Sequence, residues 1–165
     1  MIEGIYLLLG SNLGDKLSYL SQAIEKIEKT IGRVKNVSSV YETAAWGKED
    51  QPTFYNQVIE IKSSLGYIEI LKGILAIEQE IGRKRKEKWG ARIIDIDLLY
   101  FGTEIFTNHE LVLPHPEIQN RRFTLIPLCE IAQNFIHPVL KVTHQQLLEQ
   151  CNDSLEVKKL NTSNL

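Results

Sequence analysis

Residues 93–101 read Ile-Ile-Asp-Ile-Asp-Leu-Leu-Tyr-Phe, an apolar run that Gly102 closes. A strand has a side-chain period of two, so Asp95 and Asp97 share one face while Ile94, Ile96 and Leu98 point to the other, toward a core. The two aspartate Cα atoms are then ~6.6 Å apart. Like charges one pleat apart repel, so a cation is expected between or over them. Hard oxygen ligands on a strand suit Mg²⁺, which takes one or two carboxylates together with phosphate oxygens. An Asp-x-Asp on a solvated strand face is equally ordinary, so the flanking sequence has to decide.

The stretch upstream is basic. Arg83, Lys84, Arg85, Lys86, Lys88 and Arg92 are six of the chain's 19 cations, interrupted by one acid, Glu87. A charge run is usually a solvated loop, but this one leads directly into the acidic strand. Carboxylates that hold a metal, a metal that bridges phosphate oxygens, and Arg/Lys side chains that neutralise the remainder make up a metal–triphosphate site. Trp89, beside Gly90, adds a surface for stacking. Downstream, residues 115–123 hold His115 and Arg121 within reach of phosphates and Phe123 for a ring. Thr43 and Asn56 are ambiguous by themselves.

The elements around this strand follow from periodicity. Ile5 to Leu9 is a strand-sized apolar run ending at Gly10. Leu17, Leu20, Ile24, Ile27 and Ile31 form one stripe of a helix capped by Asp15 and stopped at Gly32. Val34 to Tyr41 reads as one strand, residues 42–53 as a loop, and Phe54 to Lys62 as a strand with Asn56, Glu60 and Lys62 opposite Ile59 and Ile61. Tyr67, Ile70, Ile74, Ile77 and Ile81 repeat the helical stripe up to Gly82. Beyond Gly102 the pattern weakens, with short helices expected at 122–132 and 144–151. Strand, helix, strand, strand, helix, strand is the split βαβ order of a ferredoxin-like α+β sandwich, with a central, mostly antiparallel sheet in one domain over 1–165.

Composition removes other classes. The chain has 165 residues, 43% of them hydrophobic, which is long enough and apolar enough for one core without staples. A formal net charge of −2 gives no global footprint for nucleic acid. No apolar run approaches a membrane span, no signal peptide is visible, and Cys129 and Cys151 make neither a disulfide framework nor a zinc set. A cytoplasmic domain, monomeric by default, is expected. Gly10 to Lys16 imitates a phosphate-binding loop but has three residues between its glycines and Leu17 where Ser/Thr belongs, so it is not one.

The stretch Lys88-Trp89-Gly90-Ala91-Arg92-Ile93-Ile94-Asp95-Ile96-Asp97-Leu98-Leu99 resembles the signature of the 6-hydroxymethyl-7,8-dihydropterin pyrophosphokinases of folate biosynthesis. Gly10-Ser11-Asn12-Leu13-Gly14, Tyr41-Glu42-Thr43, Asp50-Gln51-Pro52, Leu113-Pro114-His115 and Asn120-Arg121 follow the family's order from about residue 5 to residue 140. The resemblance implies transfer of the β,γ-pyrophosphoryl group of ATP to the pterin's hydroxymethyl oxygen, with release of AMP, supported by two Mg²⁺ ions on Asp95 and Asp97. It implies that Arg83, Arg85, Lys86 and Arg92 belong to a basic loop closing on the triphosphate, Arg83 and Arg92 stabilising charge during transfer. His115, Arg121, Leu98 and Glu78 match ATP-binding positions, Glu78 toward the ribose or adenine. Thr43, Ala44, Ala45, Trp46, Phe54, Asn56, Trp89 and Phe123 match the pterin pocket, the aromatics Trp89 and Phe123 sandwiching the ring and Asn56 offering a donor and an acceptor.

Four positions depart from the family's habit. Ala44-Ala45 replace a frequent Pro-Pro, which leaves that loop less stiff. Phe54 lacks the hydroxyl of a usual Tyr, and Pro116 stands where an aromatic is common. No side chain is an obvious general base, so positioning and metal charge carry the expected catalysis. Two other readings predict different behaviour. Another metal-dependent nucleotidyl or phosphoryl transferase would bind ATP without pterin, and a ferredoxin-like RNA-binding module would bind RNA in a salt-dependent way.

Overall fold

In a computed structural model, which describes residues 1–44, 52–82 and 93–161, the aspartate-bearing stretch is an edge strand, β5 (Asp95–Phe101). It pairs antiparallel with β1 (Ile2–Ser11), and the other edge of β1 pairs antiparallel with β4 (Phe54–Ser63). Both β2 (Arg33–Val37) and β3 (Tyr41–Thr43) lie along β4, and β8 (Val157–Lys159) extends the sheet from β3. With α1 (Lys16–Thr30) after β1 and α2 (Tyr67–Ile81) after β4, this is the interleaved double βαβ expected from the element order. A small hairpin, β6 (Phe106–Thr107) and β7 (Val112–Leu113), follows β5.

Both faces of the sheet are covered, which explains why β1 is a continuous apolar run instead of an alternating one. Ile5, Leu7 and Leu9 pack with Leu20, Ala23 and Ile27 of α1 and Ile70, Ile74 and Ile77 of α2. Tyr6 and Leu8 face the opposite way, against Leu125 and Leu128 of α3 (Arg122–Ala132) and Leu147 of α4 (His144–Gln150). Two cores thus stand where the strand pattern alone showed one. Glu60, expected on an outer face, is buried beneath this second layer and accepts a hydrogen bond from Asn36 Nδ2 at 2.9 Å.

The β1–β5 register slips between Tyr6 and Leu7, which face Tyr100 and Leu98. Leu99 is the extra residue of the bulge, so Leu99 and Tyr100 both enter the second core while Ile96, Leu98 and Phe101 belong to the first. The aspartates therefore lie on the second face, as the period of two requires.

The stretch 34–41 is two strands, not one. Val37 pairs with Ile59 but Tyr41 pairs with Asn56, so one residue is extra on this side. Ser38 causes the break. Its N–H donates to Val58 O and its hydroxyl accepts from Val58 N, each at 2.9 Å, while its carbonyl accepts from Gln57 Nε2. A side chain has replaced one rung of the ladder. The caps follow expectation more closely. Asp15 accepts from Ser18 N at 3.2 Å, and a Cβ at Gly32 would stand 2.3 Å from Lys62 O, so only glycine lets the chain pass there.

Candidate functional site

The second face is not covered along its whole length. Where α3 ends its cover at its N-terminus, a cavity of about 590 Å³ opens over the sheet. Its floor is a row across three strands. Asp95 pairs with Gly10, and Gly10 pairs with Asn56. One row further in, Asp97 faces Leu8. Period-two phase on each strand puts all of these side chains on the same face.

One end of the cavity is acidic. Asp95 and Asp97 are both half-buried and line it. Among the described residues no three His, Cys, Asp or Glu side chains converge as a metal cluster. Two carboxylates alone do not complete a shell for Mg²⁺, but they fit the case in which phosphate oxygens and water supply the rest.

The other end suits a flat polar ring. Asn56 and Thr43 are buried, and Asn56 Nδ2 donates to Thr43 Oγ1 at 3.4 Å. A Cβ built on Gly10 would come within 2.7 Å of Asn56 Oδ1, so the missing side chain of Gly10 is the space the carboxamide occupies. Phe54 and Ala44 complete this end on the strand side. Opposite them stand Glu117, Asn120, Arg121 and Phe123, from the 3₁₀ turn Ile118–Asn120 and the start of α3, with Leu155 beside them. The Arg121 guanidinium lies 5.7 Å from the centre of the Phe123 ring.

His115 is set beside this cavity without lining it. Its N–H donates to Leu99 O at 2.9 Å, and its Nδ1 accepts from Glu117 N at 3.1 Å. An accepting Nδ1 leaves the ring proton on Nε2. Burial holds its pKa below the usual histidine value; the charges of Asp97 and Glu117 oppose that shift and Arg121 adds to it. The neutral imidazole is a hydrogen-bond donor next to the metal-binding candidates.

Two further residues expected at the ATP site do not line the cavity either. Glu78 Oε2 accepts from Ile96 N at 2.8 Å, so it seals the open edge of β5. Leu98 is buried in the first core, facing away from the aspartates because it occupies the alternate phase of β5. Ala45, Trp46, Arg83, Arg85, Lys86, Trp89 and Arg92 lie outside the described residues. The cavity-lining residues to which the motif reading gave no role are Leu8, Gly10, Glu117, Asn120 and Leu155. Leu8 and Gly10 carry the same phase as the aspartates, visible only once the β1–β5 register is known.

The loop that imitated a phosphate-binding motif has a local task. Asn12 Nδ2 donates to Pro52 O at 3.3 Å and Lys16 Nζ donates to Thr53 O at 2.9 Å. Thr53 Oγ1 in turn donates to Glu42 Oε2 at 2.7 Å. These bonds anchor residues 52 and 53, which lead into the Phe54–Asn56 floor.

Residues 6–133 match the family model described as 7,8-dihydro-6-hydroxymethylpterin-pyrophosphokinase. A 2-amino-4-hydroxy-6-hydroxymethyldihydropteridine pyrophosphokinase of Aquifex aeolicus is 45% identical over 137 residues, 83% of this chain and 85% of that one. A protein of the same name from Bacillus subtilis is 44% identical over 129 residues, 78% of this chain and 77% of the other. Among solved structures, an HPPK-DHPS of Plasmodium falciparum superposes on 91% of this chain with a TM-score of 0.75. At 18% identity that likeness speaks to the fold, and this chain spans 43% of that longer one.

Proposed function

The chain belongs to the 7,8-dihydro-6-hydroxymethylpterin-pyrophosphokinase family, and from that premise we propose how its own residues serve the family's reaction. The reaction transfers the pyrophosphoryl group of ATP to the hydroxymethyl group of 6-hydroxymethyl-7,8-dihydropterin in folate biosynthesis. The new bond joins the hydroxymethyl oxygen to the β-phosphorus, the bond between that phosphorus and the bridging oxygen of the α-phosphate breaks, and AMP leaves.

One observation carries the assignment of roles. A single cavity has a carboxylate pair at one end and a buried Asn–Thr pair facing an aromatic at the other, with Gly10 between Asp95 and Asn56 on the floor. Asn56 and Thr43 hold the polar edge of the pterin and Phe123 covers a ring face. Asp95 and Asp97 would hold Mg²⁺ beside the triphosphate, and an ion bound there would supply charge neutralisation for the transferring group. Arg121 and the neutral His115 donate to phosphate oxygens. Arg83, Arg85, Lys86 and Arg92 are assigned to the triphosphate and Trp89 to the second ring face, on the family's motif. With the carboxylates directed to metal, the hydroxymethyl proton passes to water or a substrate oxygen, and catalysis rests on positioning.

No helix among the described residues is long and apolar enough to cross a membrane. A monomer working in the cytoplasm on two small substrates is the arrangement we propose. The test is product identity: purified protein, ATP, Mg²⁺ and 6-hydroxymethyl-7,8-dihydropterin, with the nucleotides resolved by chromatography. Pterin-dependent AMP is expected. ADP in its place would mean an ordinary kinase, and turnover unaffected by a chelator would remove the metal from the reading.

A further inference from the structure

Residues 151–157 look featureless as sequence, yet their burial alternates. Cys151, Asp153, Leu155 and Val157 are half-buried, while Asn152, Ser154 and Glu156 are exposed. An extended run with one face inward is therefore pressed along the molecule before β8 begins. Its two ends attach to opposite walls of the cavity. At one end the Asp153 carboxylate accepts from Arg122 N through Oδ2 and from Leu155 N through Oδ1, both at 3.0 Å. That ties the run to the first residue of α3, between the cavity residues Arg121 and Phe123. At the other end Val157 pairs with Thr43. Leu155 lies between these anchors and lines the cavity.

The place of Leu155 decides what it meets. Four strand spacings, about 19 Å of sheet, separate β8 from the aspartate strand β5. Leu155 thus belongs to the end formed by Thr43, Ala44 and Asn56, away from the acidic end. Both Asp153 and Leu155 lie outside residues 6–133, so the family match assigns them nothing.

We propose that this C-terminal run is the outer wall of the pterin end, with Leu155 a specificity-determining residue and Asp153 a positioning residue. Asp153 holds Leu155 and the Arg121–Phe123 corner at a fixed distance from Thr43. The inference rests on the reading of this end of the cavity as the pterin site. A shortened side chain at 155 opens the wall, so the ring is held less well while the triphosphate contacts are unchanged.

The test is a steady-state comparison of wild type with Leu155→Ala, Leu155→Val, Asp153→Ala and Asp153→Asn, with pterin KM, ATP KM and thermal melting read separately. Leu155→Ala is expected to raise the pterin KM about tenfold, the usual weight of one or more methylenes in an apolar pocket, and to leave the ATP KM unchanged. Asp153→Ala moves the pterin KM the same way, and Asp153→Asn, which keeps an acceptor oxygen, restores most of it. If Leu155→Ala fails to fold, Leu155→Val carries the comparison with the same direction expected. In the Leu155 variants, an unmoved pterin KM, or pterin and ATP KM rising together, overturns the inference while the family reaction stands. A wild type without pterin-dependent AMP overturns the function and this inference together.

Discussion

Asp97 and Gly10 mark the two kinds of residue this site uses: one supplies charge, the other supplies room. Asp97 stands one pleat from Asp95 on a half-buried face, where two carboxylates repel. Asp97→Asn removes that repulsion and, on the function proposed above, a metal ligand at once. Turnover should fall about 10³-fold, because a bound metal contributes several kcal/mol of charge stabilisation, while the melting temperature holds or rises. A variant that melts early would make Asp97 a structural residue. Gly10→Ala tests room. The backbone there is ordinary for any residue, and the only close contact is the end of the Asn56 side chain at 2.7 Å. The protein should fold, with the carboxamide pushed aside. The pterin KM then rises by about 10- to 100-fold, the range for a misplaced buried hydrogen-bonding group, and the ATP KM stays put. Equal loss for both substrates would place Gly10 in the general floor instead. At this scale alternation put Asp95 and Asp97 on one face, and the basic stretch before them singled the pair out. Gly10 was not legible in this way, because its importance lies in a neighbour contributed by another strand.

Among elements, α3 is the one whose placement the site depends on, and Glu130 holds it. Its carboxylate accepts from Ser39 N at 2.9 Å, Ser39 Oγ at 2.7 Å and Tyr41 Oη at 2.7 Å, joining α3 to the turn between β2 and β3. Burial raises the carboxyl pKa, but the Ser39 and Tyr41 bonds outweigh it and leave the group below its ordinary value. A carboxyl whose pKa is depressed in the fold contributes stability above its unfolded pKa and loses it as pH falls. Glu130→Ala should therefore cost about 2–3 kcal/mol at pH 7, and the gap from wild type should narrow below about pH 4 in urea titrations. A pH-independent gap would assign the loss to packing. The helix itself, with its Pro127, was readable at its observed bounds, whereas the clamp was not: it joins residues 91 apart in sequence. The merged strand at 34–41 shows the same limit, since Ser38 breaks it by bonding to Val58, and nothing local announces that partner.

At the scale of the molecule, the two cores have different duties. The helical core under α1 and α2 is scaffold, whereas the second core also carries the far wall of the cavity. It is built around His144, fully buried, whose Nδ1 donates to Ala132 O at 2.7 Å and whose Nε2 accepts from Tyr100 Oη at 3.0 Å. Phe135 stacks on its ring at 5.3 Å. Burial pushes the imidazole down to about 4; the Ala132 bond opposes the shift and His137 adds to it. Between that value and the ordinary 6.5 the unfolded chain binds the proton and the folded chain does not, so stability is complete above pH 6.5 and falls as pH drops toward 4. A shift of this size corresponds to about 3 kcal/mol. His115 and His137 are lowered as well and act in the same direction. Urea midpoints measured from pH 7 to pH 4 should show this loss, and His144→Gln, which cannot titrate, should flatten the slope while lowering the value at pH 7. Parallel slopes in the two proteins would sink the assignment. Pterin-dependent turnover should decline over the same window, because the core that loosens is the one holding Phe123 over the cavity.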